Sequence, residues 1–168
     1  MKTIYLIGGT MGVGKTATCQ RLKSMLPNAV LLDGDWCWDA DPFVVTDETK
    51  AMVMDNICHV LNNFINCSAY DNVIFCWVMH EQPIIDEILS RLDVSGCQVR
   101  AISLVCSEEE LRGRLERDVA AGIRQPDVIA RSLARLPLSG KLSTERLDTT
   151  SLTPGEAAER ITRAAHRP

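Results

Sequence analysis

Short runs of consecutive apolar residues recur along the chain, and polar or turn-forming residues bound each of them. Such runs are typical of strands that are buried on both faces of a sheet. The pattern predicts four of these strands and a shorter fifth one, at residues 4–7, 30–32, 73–78, 99–105 and 146–149.

Between these runs, helical periodicity and capping signals predict helices. A helix from about Lys15 ends at Pro27, which cannot continue it. Thr46 is suited to cap a helix that reaches about residue 67, and Pro83 opens one that ends near residue 92. Capping boxes at residues 107–110 and 153–156 open two more helices, and a shorter helix is predicted between Pro126 and Pro137.

Strands therefore alternate with helices throughout, which predicts an α/β fold with a parallel sheet covered by helices on both faces. Residues 36–45 between strand two and the next helix are expected to be irregular. No linker, repeat or low-complexity tract interrupts the pattern. We expect a single domain over residues 1–168.

Composition narrows the function classes. The chain has 168 residues, a net charge of −4 and no apolar stretch near the roughly 20 residues of a membrane helix. The acidic balance argues against a nucleic-acid partner. The start of the chain lacks the features of a signal peptide, and seven cysteines without a C-x-x-C pair suggest free thiols. We expect a cytoplasmic protein without a membrane or nucleic-acid partner, as a monomer or homodimer.

A glycine-rich segment after the first strand matches the pattern G-x-x-x-x-G-K-[ST], known as Walker A, in full. It lies between a strand and a helix, which is the context that the pattern requires. Its backbone amides and the helix N-terminus suit a phosphate group, the lysine can reach the outer phosphates, and the threonine hydroxyl can coordinate Mg²⁺. The predicted ATP-binding residues here are Gly9, Thr10, Met11, Gly12, Val13, Gly14, Lys15 and Thr16.

Two carboxylates, Asp33 and Asp35, follow the second strand. Ligands of open parallel sheets bind beyond the carboxyl ends of the strands, where the first strand also delivers the glycine-rich loop. Either carboxylate could therefore face the γ-phosphate. The alternative is an Asp-Gly turn in which Asp35 caps only local backbone.

Together with the helix at residues 107–117, these segments resemble the P-loop small-molecule kinases, which include shikimate, gluconate and adenylylsulfate kinases. The chain is also similar to the tunicamycin-resistance type of ATP-binding protein. The resemblance implies a three-layer P-loop NTPase fold of the nucleoside-kinase type, with a five-stranded parallel sheet in the order 2-3-1-4-5. It implies ATP and Mg²⁺ as cofactors, with Thr16 and one of the two carboxylates on the metal side and the other carboxylate as the base. Of the two assignments we favour Asp33 for the metal and Asp35 for the base.

The resemblance also assigns an acceptor region at about residues 33–67 and a mobile lid at about residues 112–136. Eight arginines and no lysine occur between residues 91 and 135. The resemblance implies that Arg114, Arg117 and Arg124 contact ATP, with Arg117 as a catalytic residue, and Arg131 is a further candidate. The alternative is a solvated helix face with pairs such as Glu110–Arg114. Residues 149–153 resemble the loop beside the adenine, or form an ordinary connection.

One departure from the common NTPase pattern concerns the metal. The third predicted strand does not end in Asp. Either Asp33 or Glu81 replaces that carboxylate, or metal binding is weaker.

Charge in the acceptor region favours a neutral or cationic acceptor. Between residues 24 and 90 there are eleven acids, and Lys50 is the only lysine or arginine. An anionic acceptor would need cations to pair with it. Trp36, Trp38 and Phe43 are expected to form an apolar wall, or else to pack in the core, so Asp35, Trp36 and Trp38 are the predicted acceptor-binding residues.

The leading hypothesis is an ATP- and Mg²⁺-dependent phosphotransferase that acts on a hydroxyl of a small molecule. A protein that binds ATP and sequesters a small compound is the second hypothesis, and a nucleotide-dependent switch is the third.

Overall fold

The computed structural model describes residues 1–165, so residues 166–168 of the predicted domain lie outside the described part. Five strands and six α-helices alternate along it. They are β1 (Thr3–Gly8), α1 (Lys15–Met25), β2 (Ala29–Asp33), α2 (Asp47–Asn66), β3 (Asn72–Cys76), α3 (Gln82–Arg91), β4 (Gln98–Val105), α4 (Glu108–Ala120), α5 (Asp127–Arg135), β5 (Glu145–Asp148) and α6 (Pro154–Ala165).

The five strands form one parallel sheet in the order β2-β3-β1-β4-β5, as the resemblance implied. Parallel pairing brings all carboxyl ends to one edge of the sheet. The register aligns Asp33 of β2 with Cys76 of β3, and Ile7 of β1 with that same Cys76. Residues that directly follow β1, β2 and β3 therefore meet at one edge.

Two apolar cores cover the two faces of the sheet, which confirms the three-layer architecture. The first core joins the sheet to α1, α4, α5 and α6, and includes Leu22, Leu111 and Ile161. The second joins it to α2 and α3, and includes Ile57 and Ile88. Along residues 1–165, the structure contains no helix with the length and apolar content that crossing a membrane requires.

Local hydrogen bonds show where the capping predictions held. Thr46 and Thr49 form a reciprocal capping box at the start of α2. At α4, Ser107 accepts from the backbone N–H of Glu110, but the return bond is missing because the N–H of Ser107 donates to Thr150 Oγ1. The prediction of a complete capping box there is wrong.

The segment after β2 is more regular than predicted. A 3₁₀ turn at Gly34–Cys37 follows the strand directly, and the Asp33 side chain caps it by accepting from the backbone N–H of Asp35. Only the part beyond it is irregular, as far as α2.

Candidate phosphate and acceptor site

The glycine-rich loop turns sharply between β1 and α1. Gly12 and Gly14 have φ angles of 81° and 100°, a left-handed region that residues with a Cβ rarely adopt. Within the described residues, α1 has neither a side-chain cap nor an acidic residue in its first turn. Its first amides are thus left for an anion, which the N-terminal end of the helix attracts.

Close packing also fixes the loop from behind. A Cβ at Gly9 would lie 2.7 Å from the carbonyl oxygen of Leu104 on β4, and one at Gly12 would lie 2.6 Å from Leu115 Cδ2 on α4. The buried Thr10 hydroxyl donates to the carbonyl oxygen of Ser132 on α5 at 3.1 Å. The loop is therefore held by β4, α4 and α5.

Lys15 lies at the centre of this loop, partly buried. Its Nζ donates to the carbonyl oxygen of Thr10 at 3.0 Å. Burial lowers the pKa of Lys15, and the nearby carboxylates of Asp35 and Asp33 act in the opposite direction. A triphosphate beside the ammonium would favour its charged form in the same way.

The two predicted metal ligands are in contact. Thr16 Oγ1 donates to Asp33 Oδ2 at 2.8 Å, and Asp33 is only 6% exposed. A hydroxyl and a carboxylate are hard oxygen ligands of the kind that Mg²⁺ binds, so the pair fits this ion. Within residues 1–165 no group of three or more His, Cys, Asp or Glu side chains is arranged to hold a metal.

Asp35 lies on the solvent side of this pair. Trp77 Nε1 donates to Asp35 Oδ1 at 3.2 Å. Loss of water raises the pKa of Asp35, as does the charge of Asp33, whereas Lys15 and the indole hydrogen bond lower it. The side chain is therefore held by a tryptophan that the sequence interpretation did not include.

A cavity of about 480 Å³ opens beside Asp35. Its wall includes Trp38, Phe43 and Trp77, with the Trp38 ring centroid 4.9 Å from that of Phe43 and 5.9 Å from that of Trp77. Met11 of the phosphate loop lines it too. We call it the acceptor cavity.

The predicted Trp36 is not part of the acceptor cavity. Its side chain is 56% exposed and lines a neighbouring groove instead. Trp36 lies within the 3₁₀ turn, whereas Trp38 follows it and lines both the groove and the acceptor cavity.

The expectation that this pocket is poor in cations is wrong. Four basic side chains line the acceptor cavity, together with Asp35 and Glu87. They are Lys50, Arg91, Arg131 and Arg135. Arg131 and Arg135 belong to α5, which is distant in sequence from the acidic region at residues 24–90 but lines the cavity. Arg91 lies one residue beyond the acidic region.

The three lid arginines differ in position. Arg114 Nη1 donates to the carbonyl oxygen of Val13 at 3.1 Å, and its Nη2 donates to that of Thr149 at 3.0 Å. Arg124 Nε donates to Asp118 Oδ2 at 3.0 Å, and its charge acts on Lys15 and Asp35 in the direction of a lower pKa. The Arg117 side chain is 71% exposed and lies 4.0 Å from Glu110. Arg114 is thus the lid arginine that contacts the loop, and Arg117 is not in contact with it.

On the other side of the phosphate loop lies a cavity of about 260 Å³. Gly12, Val13 and Gly14 line it, together with Arg114 and the 149–153 connection. This is the position that the resemblance implied for the adenine side of a nucleotide.

The end of β3 supplies aromatic and imidazole groups where an Asp was missing. Trp77 follows the strand directly. His80 lines the acceptor cavity, and its buried Nδ1 has no hydrogen-bond partner among residues 1–165. Glu81 is 62% exposed beside His80. Asp33, rather than Glu81, is the carboxylate beside Thr16. The register of β3 against β1 and β2 brings Trp77 and His80 to the site, and the sequence alone does not give this register.

Comparisons with known proteins agree with the fold. A family model described as an AAA domain matches residues 6–127. The tunicamycin resistance protein of Deinococcus radiodurans has a similar structure, with a TM-score of 0.75 and 23% identity over 100% of this chain and 98% of that one. The shikimate kinase of Acinetobacter baumannii, solved with shikimate, gives 0.64 and 19% over 98% and 93%. The APS kinase of Mycobacterium tuberculosis, solved with AMPPNP and APS, gives 0.66 and 14% over 99% and 98%.

No curated protein matches the sequence. The family match covers more than half of the chain, and the three structural neighbours superpose over nearly its whole length. The chain therefore belongs to the family described as an AAA domain, and its fold is that of the P-loop small-molecule kinases.

Proposed function

We propose that this protein transfers the γ-phosphoryl group of ATP, with Mg²⁺, to a hydroxyl of a small acceptor. The observation that carries the proposal is the position of Asp35. This carboxylate lines the acceptor cavity and is also close enough to Lys15 for the ammonium to lower its pKa. A hydroxyl in the cavity and a phosphate on the loop would thus meet beside one base.

The nucleotide half of the site rests on the loop and α1. Lys15 and the free amides of α1 bind the outer phosphates, and the 149–153 connection faces the adenine. Thr16 and Asp33 would hold Mg²⁺, which neutralises charge on the phosphates when bound. Positioning and charge neutralisation are the main demands of phosphoryl transfer.

The acceptor half rests on Asp35. The acceptor oxygen bonds to the γ-phosphorus while the bond from that phosphorus to the bridging oxygen breaks. The hydroxyl proton passes to the Asp35 carboxylate, and ADP leaves. The pKa of Asp35 is raised, mainly by loss of water, which brings the carboxylate closer to the range of an effective base.

Among the lid arginines, we assign the phosphate-facing role to Arg124 in place of Arg117. The charge of Arg124 acts on Lys15 and Asp35, whereas the Arg117 side chain is exposed on α4. Arg114 joins the phosphate loop to the 149–153 connection.

Of the acceptor classes that the sequence favoured, we propose the neutral one. Arg131 pairs with Asp127, and Arg91 pairs with Glu87, which also lines the cavity. Much of the positive charge is thus already compensated. The lining nevertheless has more basic than acidic side chains, so the remaining positive charge would oppose the binding of a cationic acceptor.

ADP formation tests the proposal. Purified protein with Mg-ATP would be assayed against a panel of neutral, cationic and anionic hydroxyl compounds. We expect stimulation by a neutral compound that falls by at least about a hundredfold in Asp35→Asn, the scale of general-base catalysis. Lys15→Ala is expected to lose ATP binding. Lys23→Ala, in the exposed last turn of α1, is the matched control and keeps the parent rate.

Two observations support a second candidate function. The neighbour from Deinococcus radiodurans is named a tunicamycin resistance protein, and β3 lacks a carboxylate at its end. We therefore add tunicamycin to the panel. Tight ATP-dependent binding of a compound, without acceptor-dependent ADP in the parent protein, would reject phosphotransfer and support sequestration or a nucleotide-dependent switch.

A further inference from the structure

Exposed apolar side chains concentrate next to the acceptor cavity. Of the eight large apolar side chains that are exposed within the described residues, five belong to the segment from the 3₁₀ turn to the first turns of α2. They are Trp36, Phe43, Val44, Val45 and Met52, and each is about half exposed. Apolar surface of this kind on one side of a small protein marks a binding surface.

A groove of about 300 Å³ runs through this surface. Trp36, Val44 and Met52 line it, and within the described residues its only charged lining side chain is Asp39. Asn56 Nδ2 on α2 donates to the carbonyl oxygen of Cys37 at 3.0 Å, so the two sides of the groove are joined. A groove with one acid and no base suits an uncharged apolar group.

The groove and the acceptor cavity share a wall. Trp38 and Phe43 line both, and their rings pack edge to face. The groove and the acceptor cavity are therefore adjacent, and a ligand that fills the cavity beside Asp35 can extend past this ring pair into the groove. The groove adjoins the cavity and, within the described residues, no basic side chain lines it. We therefore take the occupant of the groove to be an uncharged part of the acceptor itself.

We infer that the acceptor is a neutral amphiphile, whose hydroxyl-bearing head lies in the acceptor cavity and whose apolar chain lies in the groove. This inference rests on the proposed function and deepens it by naming the substrate class. Each methylene that leaves water for the groove tightens binding by about two- to fourfold, because one side of the groove stays open.

A homologous series of probes tests this inference. Neutral n-alkyl β-D-glucosides from ethyl to octyl would be titrated calorimetrically, below the concentrations at which they aggregate, with and without Mg-ATP. We expect Kd to fall by about two- to fourfold per methylene. In Met52→Ser the dependence on chain length flattens, whereas in Met25→Ser, an exposed apolar residue in the last turn of α1 and outside the groove, the parent dependence remains.

Other results would overturn the inference. Equal Kd for all chain lengths, or an unchanged dependence in Met52→Ser, means that the groove holds no chain. A parent dimer in sedimentation that Met52→Ser converts to monomer means that a second copy covers the surface.

The ADP assay on the same glucosides separates this inference from the proposed function. If Kd depends on chain length but no ADP forms, the inference of an amphiphilic ligand stands and phosphotransfer is rejected. If ADP forms with the same KM for every chain length, phosphotransfer stands and the inference of an amphiphilic acceptor is rejected.

Discussion

Replacing Gly34 with alanine would place a methyl group inside the space of the Trp77 indole. An ideal Cβ at Gly34 lies 2.5 Å from Trp77 Cγ and 2.7 Å from its Cδ1. Carbon atoms in contact are separated by about 3.5–4.0 Å, so the ring must retreat by about 1 Å. The φ angle of Gly34 is not left-handed, so alanine meets no backbone strain and the effect is steric.

The displaced ring can no longer hold Asp35. The bond from Trp77 Nε1 to Asp35 Oδ1 measures 3.2 Å, and a further 1 Å takes it beyond hydrogen-bond range. Overpacking is expected to lower the free energy of unfolding by about 1–3 kcal/mol. The indole bond lowers the pKa of Asp35, so its loss raises that pKa. The carboxylate then becomes available as a base only at higher pH.

Two measurements follow this change. Urea denaturation gives the loss of stability, and a carbon-detected NMR titration gives the pKa of Asp35 without any assumption about activity. If Asp35 is the base, the acid limb of the kcat/KM profile shifts to higher pH as well. Trp77→Phe removes the indole N–H without adding a methyl group, and its Asp35 pKa should rise in the same direction.

Gly140→Ala is the matched control. A Cβ there meets no atom within 4 Å, and its φ angle is also not left-handed. We expect it to change stability by no more than about 0.5 kcal/mol. If Gly34→Ala matches this control in stability and matches the parent in Asp35 pKa, the argument from Trp77 is refuted.

Three further predictions concern residues that stabilise the fold. Gly12→Ala should lower the unfolding free energy by about 2–4 kcal/mol, through strain at φ 81° and overlap with α4. Gly122→Ala, with φ 72° and open space, should cost only about 1–2 kcal/mol, and equal losses in urea denaturation would contradict the overlap. Lys2→Met removes an ammonium that donates to three carbonyl oxygens at the end of α2. The unfolding free energy should fall by about 1–2 kcal/mol, and this loss should be smaller at high salt. An unchanged unfolding free energy would argue against this cap. Glu145→Gln leaves the buried Arg100 without its charged partner, so the unfolding free energy should fall by about 1–3 kcal/mol. A thermal midpoint equal to that of the parent would contradict this expectation.

Much of the fold followed from local patterns. Continuous apolar runs define strands that are buried on both faces, and caps such as Thr46 define where helices begin. The phosphate loop was predictable because its chemistry lies within one short segment, residues 9–16. The sheet order came from the resemblance, since periodicity does not state which strands are neighbours.

The acceptor side was harder because its residues are distant in sequence. Arg131 and Arg135 reach the cavity only because α5 folds over it, so a count along residues 24–90 missed them. The register of β3 places Trp77 beside Asp35. The sequence interpretation considered only whether an Asp ends this strand and therefore did not include Trp77. Arg117 was chosen from its place in a pattern, but the turn of α4 exposes it.

The hydrogen bond between Thr10 and Ser132 ties the phosphate loop to α5, and α5 also carries Arg131 and Arg135 into the acceptor cavity. Any shift of the loop on filling with nucleotide is therefore transmitted to one wall of the other cavity. Two ligands that bias the same helix affect each other's affinity by equal factors, because linkage is reciprocal. We thus expect the nucleotide and the acceptor to bind cooperatively.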